Sequence, residues 1–167
     1  MPNFRRNWVE GQIHFQTHVT YERMPILVDN IDILWEAIEK IKRETAFDLM
    51  AWVILPDHVH WLIDVWENHP SHLIRRIKLS FSSYYRKKYA MREGRIWQHR
   101  FWNHVITNQK DLNNHIDYIH YNPVKHGHTM DSFKYAHSSL HEYYSKGYYP
   151  RDWGVLGASD MKGNYGE

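Results

Sequence analysis

The sequence contains no cysteine. Without cysteine the chain can form neither a disulfide nor a thiolate zinc site nor a cysteine nucleophile, so a bound metal must use histidine, carboxylate or amide ligands. Long apolar runs are also missing, because the longest spans residues 49–55 and a membrane helix requires roughly 18 residues. The first residues are basic with no apolar stretch behind them, unlike a signal peptide. We therefore expect a soluble, cytoplasmic protein with no membrane contact.

The chain also lacks a strong charge excess, since its formal net charge is only +2. Net charge alone therefore does not indicate a nucleic-acid-binding protein. The distribution is more informative, because aromatic residues alternate with Arg, Lys and His between Ile74 and Trp102. Such a mixture can hold phosphates while stacking on bases. The alternative is that the rings belong to the core and the charges to a solvated surface.

At 167 residues the chain is long enough for one domain with its own core and too short for two. We place this single domain at residues 1–150 and expect a flexible C-terminal tail at residues 151–167, where apolar content is low.

The periodicity of apolar residues predicts the elements of this domain. Strands are predicted at 12–21, as a pair at 47–65 and once or twice within 95–107, and helices are predicted at 29–46, 69–90 and 108–127. Pro123 is expected to end or kink the last helix. This order predicts an α+β fold in which helices pack on an antiparallel sheet.

Two histidines stand one residue apart in LPDHVHWLIDV, residues 55–65, which otherwise reads as a buried strand. Successive strand side chains point to opposite faces, so His58 and His60 share a face and can converge on one cation. Their apolar setting favours a ligand role, because an imidazole without a partner is costly there. The alternative is that both histidines bond to the backbone or to Asp57 and Asp64.

The spacing itself is weakly informative, because about one such pair is expected by chance in a chain with 14 histidines. A second pair, His126 and His128, does occur in a glycine-flanked stretch after Pro123. We interpret this second pair as a chance match in a loop.

Tyr118 and Asn122 are four residues apart on the last predicted helix, so they share a face. An amide oxygen can serve as a third ligand for a hard cation, and a tyrosine hydroxyl beside that cation could attack phosphorus. The alternative is that Tyr118 packs in the core and that Asn122 only precedes the proline at the helix end.

Taken together, LPDHVHWLI and DYIHYNPVKHG, with GRIWQHRFWNHVI between them, resemble the single-tyrosine HUH transposases, and in particular the REP-associated tyrosine transposases of bacteria. The resemblance extends over residues 4–127. It implies the HUH endonuclease fold, with a ferredoxin-like or RRM-like sheet, and it implies action on single-stranded or hairpin DNA.

The resemblance also assigns roles. It implies that His58, His60 and Asn122 hold Mg²⁺ or Mn²⁺ and that Tyr118 is the nucleophile, which leaves a 5′-phosphotyrosine and a free 3′-hydroxyl. Many wider relatives carry Gln at the position of Asn122, and relatives often have Asn at the position of Asp57. Because a free tyrosine has a pKa of about 10, a group must assist its ionisation, and the candidates are the metal, His120 and Lys125.

Basic and aromatic residues on and after the second predicted helix are candidates for DNA contact. They are Arg75, Arg76, Lys78, Arg86, Lys87, Arg95, Arg100 and Trp97. Arg76 and Lys87 are eleven residues apart, which places them on one helix face.

Two other functions remain open from the sequence. One is a DNA-binding module without nuclease activity, and the other is a metal phosphodiesterase that uses water as the nucleophile. Because the chain offers one candidate nucleophile, excision would require two copies or two rounds of reaction, and we expect either a homodimer or a monomer.

Overall fold

The computed structural model describes residues 11–66 and 69–155. Its sheet contains the strands β1 (Ile13–Val19), β2 (Phe47–Ile54), β3 (His58–Val65) and β4 (Trp102–Val105). Their order is β2-β3-β1-β4, and every pairing is antiparallel. This arrangement confirms the predicted α+β fold. The stretch at 95–107 forms one short strand, preceded by an isolated bridge between Thr20 and Trp97.

The three predicted helices are present as α1 (Ile31–Glu44), α2 (Pro70–Lys88) and α3 (Gln109–Lys125), and a short α4 (Leu140–Ser145) follows. Asn108 caps α3, because its side chain accepts a hydrogen bond of 2.9 Å from the amide of Asp111. Pro123 lies inside α3 and does not end it. A proline removes only one backbone donor, and the helix needs just two more residues to reach its end.

The alternation of β3 side chains divides the core into two layers. Val59, Trp61 and Ile63 pack against the apolar sides of α1 and α2. Leu62 belongs to the other layer, together with Phe15 and the apolar residues of α3. The sheet therefore has α1 and α2 on one face and α3 on the other, and His58 and His60 project toward α3.

The chain after α3 covers the outer edge of β2. The amide of Ile54 donates to the carbonyl of His137, and the amide of Ser139 donates to the carbonyl of Trp52, both over 2.9 Å. Residues 151–155, which the sequence assigns to the tail, contact this segment. The ring centroid of Trp153 lies 4.2 Å from that of Tyr149. The remainder of the predicted tail, 156–167, lies outside the described residues.

Gly154 adopts a φ of +71°, and a Cβ atom at this position would lie 2.6 Å from Ser132 Oγ, so the close approach of the two segments requires glycine. Across the described ranges, none of the helices combines the length and apolar character needed to cross a bilayer.

Candidate functional site

His58 and His60 form the floor of a polar cluster on the α3 face of the sheet. Both are buried, at 2% and 0% exposure. Their ring centroids lie 4.9 Å apart, with the ring planes almost perpendicular. The two imidazoles therefore meet at the start of β3, as the strand alternation predicts.

The second nitrogen of each ring is held by a neighbour. His58 Nδ1 lies 2.6 Å from Asp57 Oδ1, and His60 Nδ1 lies 2.7 Å from Thr17 Oγ1 on the adjacent strand. Such contacts orient an imidazole and leave Nε2 to act as the ligand atom. The sequence offered Asp57 and Asp64 as alternative hydrogen-bond partners of the two histidines. Asp57 does bind His58, whereas the partner of His60 Nδ1 is Thr17 and not Asp64.

Asp57 is ionised in this arrangement. Burial alone would raise the pKa of its carboxyl group, but the hydrogen bond and charge of His58, together with those of Arg23, outweigh burial and lower it to about 2. Arg23 Nη1 lies 3.0 Å from Asp57 Oδ2. A fixed negative charge therefore stands behind His58.

Tyr118 and Asn122 lie on α3 and face the two histidines. The ring centroids of Tyr118 and His60 are 5.3 Å apart in an edge-on arrangement, and Phe15 packs against both rings. Tyr118 is 2% exposed and Asn122 is fully buried. The two residues and the histidine pair, distant in sequence, are thus brought together on one side of the sheet.

Lys125 is in direct contact with the phenol. Its Nζ donates a hydrogen bond of 3.2 Å to Tyr118 Oη and lies 4.8 Å from the centre of the same ring. Burial lowers the pKa of Lys125. The structure therefore separates the two side chains that the sequence offers as partners of Tyr118.

His120, the other candidate, lies away from the phenol. Its Nδ1 is 3.0 Å from Tyr149 Oη and its Nε2 is 2.8 Å from Ser139 Oγ, so both nitrogens bind the C-terminal segment. Burial lowers the pKa of His120 to about 3. Its role is to anchor α3 to this segment.

His126 also belongs to this cluster, although the sequence predicted no ligand role for it. Its ring centroid lies 5.0 Å from that of His58. Each of His58, His60 and His126 offers a ring nitrogen within 4.8 Å of the other two, close enough to hold one metal ion. One member of the second pair, His126, therefore lies beside the first pair, while His128 is not part of this group. His126 follows Asn122 by four residues, as Asn122 follows Tyr118, and this helical spacing is the signal that could have identified it.

The imidazoles of His60 and His126 have lowered pKa values, which favours the neutral form that a metal ligand requires. Burial, followed by the charge of His58, holds the pKa of His60 well below its usual range. Burial and the charges of His58 and Lys125 lower the pKa of His126 to about 4. Protons therefore compete weakly for these two rings.

A second group of potential ligands, His104, Asp111 and His115, lies at the start of α3. Asp111 bonds both imidazoles, at 2.8 Å to His104 and 3.0 Å to His115, and it also accepts from the amide of Thr107. The two rings are stacked, with their centroids 4.7 Å apart. This arrangement attaches the first turn of α3 to β4.

The predicted DNA-binding residues fall into three groups. Arg76 is paired with Glu44 and Thr45 of the α1 end, and Arg86 donates to the carbonyl of Gly94 over 2.6 Å. The six remaining residues have no such partner on α1 or at Gly94 in the described part of the chain. Arg75, Lys78, Arg95 and Trp97 line one cavity beside α2, while Lys87 and Arg100 are exposed.

The family described as IS200-like transposases matches residues 8–122, which include the histidine pair, Tyr118 and Asn122. The chain belongs to this transposase family. The matched region ends before Lys125 and His126, so these two residues of the cluster lie beyond it.

Individual proteins that are similar to this transposase support the family assignment. The REP-associated tyrosine transposase of Escherichia coli K12 is 36% identical over 156 residues, covering 92% of this chain and 91% of the relative. A Haemophilus influenzae protein with the same name in provisional form is 37% identical over 173 residues, covering 97% of each chain. A solved REP-associated tyrosine transposase, bound to a REP hairpin, superposes with a TM-score of 0.80 at 36% identity and covers 100% of this chain and 98% of its own.

Proposed function

We propose that this transposase is a metal-dependent endonuclease and strand transferase that acts on single-stranded or hairpin DNA through Tyr118. The observation that carries the proposal is the position of the Tyr118 ring, 5.3 Å from that of His60 on the same face of the sheet. A phenol on the opposite face could not have reached a phosphate bound beside the histidines.

The side chains of the cluster fit a divalent cation. His58 Nε2 is buried and has no hydrogen-bond partner among the described residues, which is costly unless the nitrogen binds a ligand. His58, His60 and Asn122 would hold the ion, with His126 as a further donor. Once bound, such an ion supplies Lewis-acid activation of a phosphate oxygen. Because imidazole is a poor ligand for Mg²⁺, this donor set favours Mn²⁺ in affinity.

Tyr118 performs the bond exchange. Its Oη forms a bond to phosphorus while the bond between phosphorus and the 3′ oxygen breaks, which gives a 5′-phosphotyrosine and a free 3′-hydroxyl. The proton lost by the phenol is balanced by the proton that the 3′ oxygen takes up. The phosphotyrosyl ester keeps a reactive phosphorus, so a later 3′-hydroxyl can displace Tyr118 and rejoin the strands.

Lys125 favours this attack by placing a positive charge against Tyr118 Oη, at 3.2 Å. Because Tyr118 is only 2% exposed, a phosphate reaches the oxygen only after neighbouring groups move aside. Substrate binding and exposure of the nucleophile are therefore coupled.

The substrate class follows from the relatives. The solved protein that superposes with a TM-score of 0.80 holds a REP hairpin. At 36% identity over nearly the whole of both chains, this similarity supports a DNA hairpin as the substrate. An enzyme acting on such DNA in a bacterial cell works in the cytoplasm.

A denaturing gel tests the mechanism. The transposase is incubated with Mn²⁺ and a pool of labelled hairpin oligonucleotides whose single-stranded flanks are randomised, and a covalent protein–DNA adduct is expected. Tyr118→Phe should abolish the adduct and cleavage. Tyr121→Phe, the matched control three residues further along α3, should retain both.

Two results would contradict the proposal. Cleavage without an adduct would indicate a phosphodiesterase that uses water, and binding without cleavage by the parent protein would indicate a DNA-binding module.

A further inference from the structure

A cavity of about 500 Å³ lies on the face of the sheet opposite Tyr118. Its walls come from the first half of α2 and from the segment at 95–101 that leads into β4. Pockets of this size accept ligands as large as a nucleotide. The cavity is therefore a candidate for a second binding site that the cluster around His58 does not include.

Three cations surround this cavity: Arg75, Lys78 and Arg95. Within the described part of the chain, none of them forms a salt bridge with a carboxylate, in contrast to Arg76 with Glu44. Lys78 is largely buried, which lowers its pKa to about 8, and its Nζ lies 5.2 Å from the centre of the Trp97 ring. Lys78 Nζ donates to the carbonyl of Gln98, over 3.4 Å, and Arg95 lies over the Tyr21 ring. Positive charges kept near one cavity without a carboxylate partner among the described residues favour an anionic ligand.

Aromatic side chains form another part of the wall. Phe101 is half-buried and stacks on the fully buried His18, with ring centroids 4.6 Å apart. Trp97 is 7% exposed, and its buried Nε1 has no acceptor among the described residues. The ring surface of Phe101 suits a flat ligand such as a base. Combined with the cations, these features match a nucleotide.

The cavity is connected to the site around Tyr118 through two consecutive residues of β1. Thr17 contacts His60 Nδ1 at 2.7 Å on one face of the sheet, and His18 stacks on Phe101 on the other. β4, the edge strand beside β1, has only four residues. One DNA strand can therefore pass around this short edge and occupy both places.

We propose that this cavity holds one unpaired nucleotide of the DNA that Tyr118 cleaves, with the base against Phe101 and Trp97 and its phosphates near Arg75, Lys78 and Arg95. The held nucleotide fixes how many residues of DNA separate it from the phosphate at Tyr118, and so selects the cleavage position. This inference rests on the proposed function.

An abasic scan of the substrate tests the inference without requiring cleavage. The binding of Tyr118→Phe protein to a hairpin with single-stranded flanks is measured while each unpaired base is removed in turn. One position is expected at which loss of the base weakens binding about tenfold, the effect of one stacked base. In the double variant with Phe101→Ala, loss of the same base should change affinity less than about twofold.

Because Phe101→Ala could fail to fold, a surface variant provides a second test of the same position. Arg75→Gln with Arg95→Gln removes two exposed charges and should also reduce the effect of that abasic position. Arg43→Gln with Lys146→Gln removes two exposed charges elsewhere and should leave it unchanged. In protein with intact Tyr118, Phe101→Ala should spread cleavage over neighbouring phosphates.

The outcomes separate the two proposals. If the adduct at Tyr118 forms but no abasic position depends on Phe101 or on the Arg75–Arg95 pair, the nucleotide pocket is refuted and the nuclease stands. If one position depends on them but no adduct forms, the pocket stands and the tyrosine mechanism fails.

Discussion

Lys125 Nζ donates a hydrogen bond of 3.2 Å to Tyr118 Oη from one side of the ring, while the His60 ring approaches Tyr118 from another. The proposed nucleophile is therefore held between a cation and a metal-binding side chain. This hydrogen bond joins residues seven positions apart, two helical turns along α3.

Lys125→Met should slow adduct formation about a hundredfold, a value at the low end for removing one group that stabilises negative charge in the transition state. The rate should also reach its maximum at higher pH, because the neighbouring ammonium group no longer favours the phenolate. Lys125→Arg keeps the charge and should recover much of the rate. The measurement is the initial rate of adduct formation against pH, and Lys110→Met, an exposed lysine, is the control. An unchanged pH profile in Lys125→Met would argue that the hydrogen bond is structural.

His126→Asn should weaken Mn²⁺ binding tenfold or more, because a third imidazole is lost from the cluster. The affinity for Mg²⁺ should change less, so the preference for Mn²⁺ over Mg²⁺ narrows. Isothermal titration of the DNA-free protein with each ion measures both constants. His128→Asn is the matched control, since His128 is not among the three clustered histidines. Equal Mn²⁺ affinity in the parent and His126→Asn would restrict the site to His58, His60 and Asn122.

Much of the candidate site could be predicted from local periodicity. The alternation of β3 places His58 and His60 on one face, and a spacing of four residues places Tyr118 and Asn122 on one helix side. His126 extends the same spacing, but a proline at 123 predicts a helix end, and this places His126 in a loop. The general rule for proline is weak near a helix terminus, where few backbone bonds remain to be lost.

Other features depend on contacts between distant segments and could not be predicted locally. The sequence does not rank Lys125 and His120 as partners of Tyr118, because the ranking depends on Ser139 and Tyr149, which bind His120. The contact of Thr17 with His60 requires the register between β1 and β3. The cavity beside α2 likewise requires Phe101 and Lys78 to meet across 23 residues of sequence.

Arg75 and Arg76 are neighbours in sequence, but their substitution should affect different properties: DNA affinity for Arg75 and stability for Arg76. Arg76→Gln loses the ion pair with Glu44, which is partly exposed, so the free energy of unfolding should fall by at most about 1 kcal/mol with little change in DNA affinity. Arg75→Gln should leave stability unchanged and weaken DNA binding. Its plot of log affinity against log salt concentration should also become shallower by about 0.7 to 0.9 for each phosphate that the variant no longer neutralises. Fluorescence anisotropy over a salt series and urea unfolding measure the two effects, and equal salt slopes for both variants would contradict this division.

His18 makes stability depend on pH. Burial, followed by the charge of Lys78 on α2, holds the pKa of His18 well below its ordinary value of 6.5. The ring also packs on Trp61 of β3 and Phe101, and its Nε2 lies 3.0 Å from Gln16 Oε1. The folded protein therefore keeps His18 neutral at a pH where the unfolded chain binds a proton.

Below about pH 6.5 the unfolded state binds more protons than the folded state. The free energy of unfolding therefore decreases as the pH is lowered, by up to about 1.4 kcal/mol per pH unit for this one group. His18→Phe keeps a ring against Phe101 but cannot titrate. Its stability deficit relative to the parent should therefore shrink between about pH 7.5 and pH 5 in urea unfolding. His72→Asn, which removes an exposed imidazole, is the control variant. If the deficit of His18→Phe stays constant over this range, His18 does not contribute to acid destabilisation.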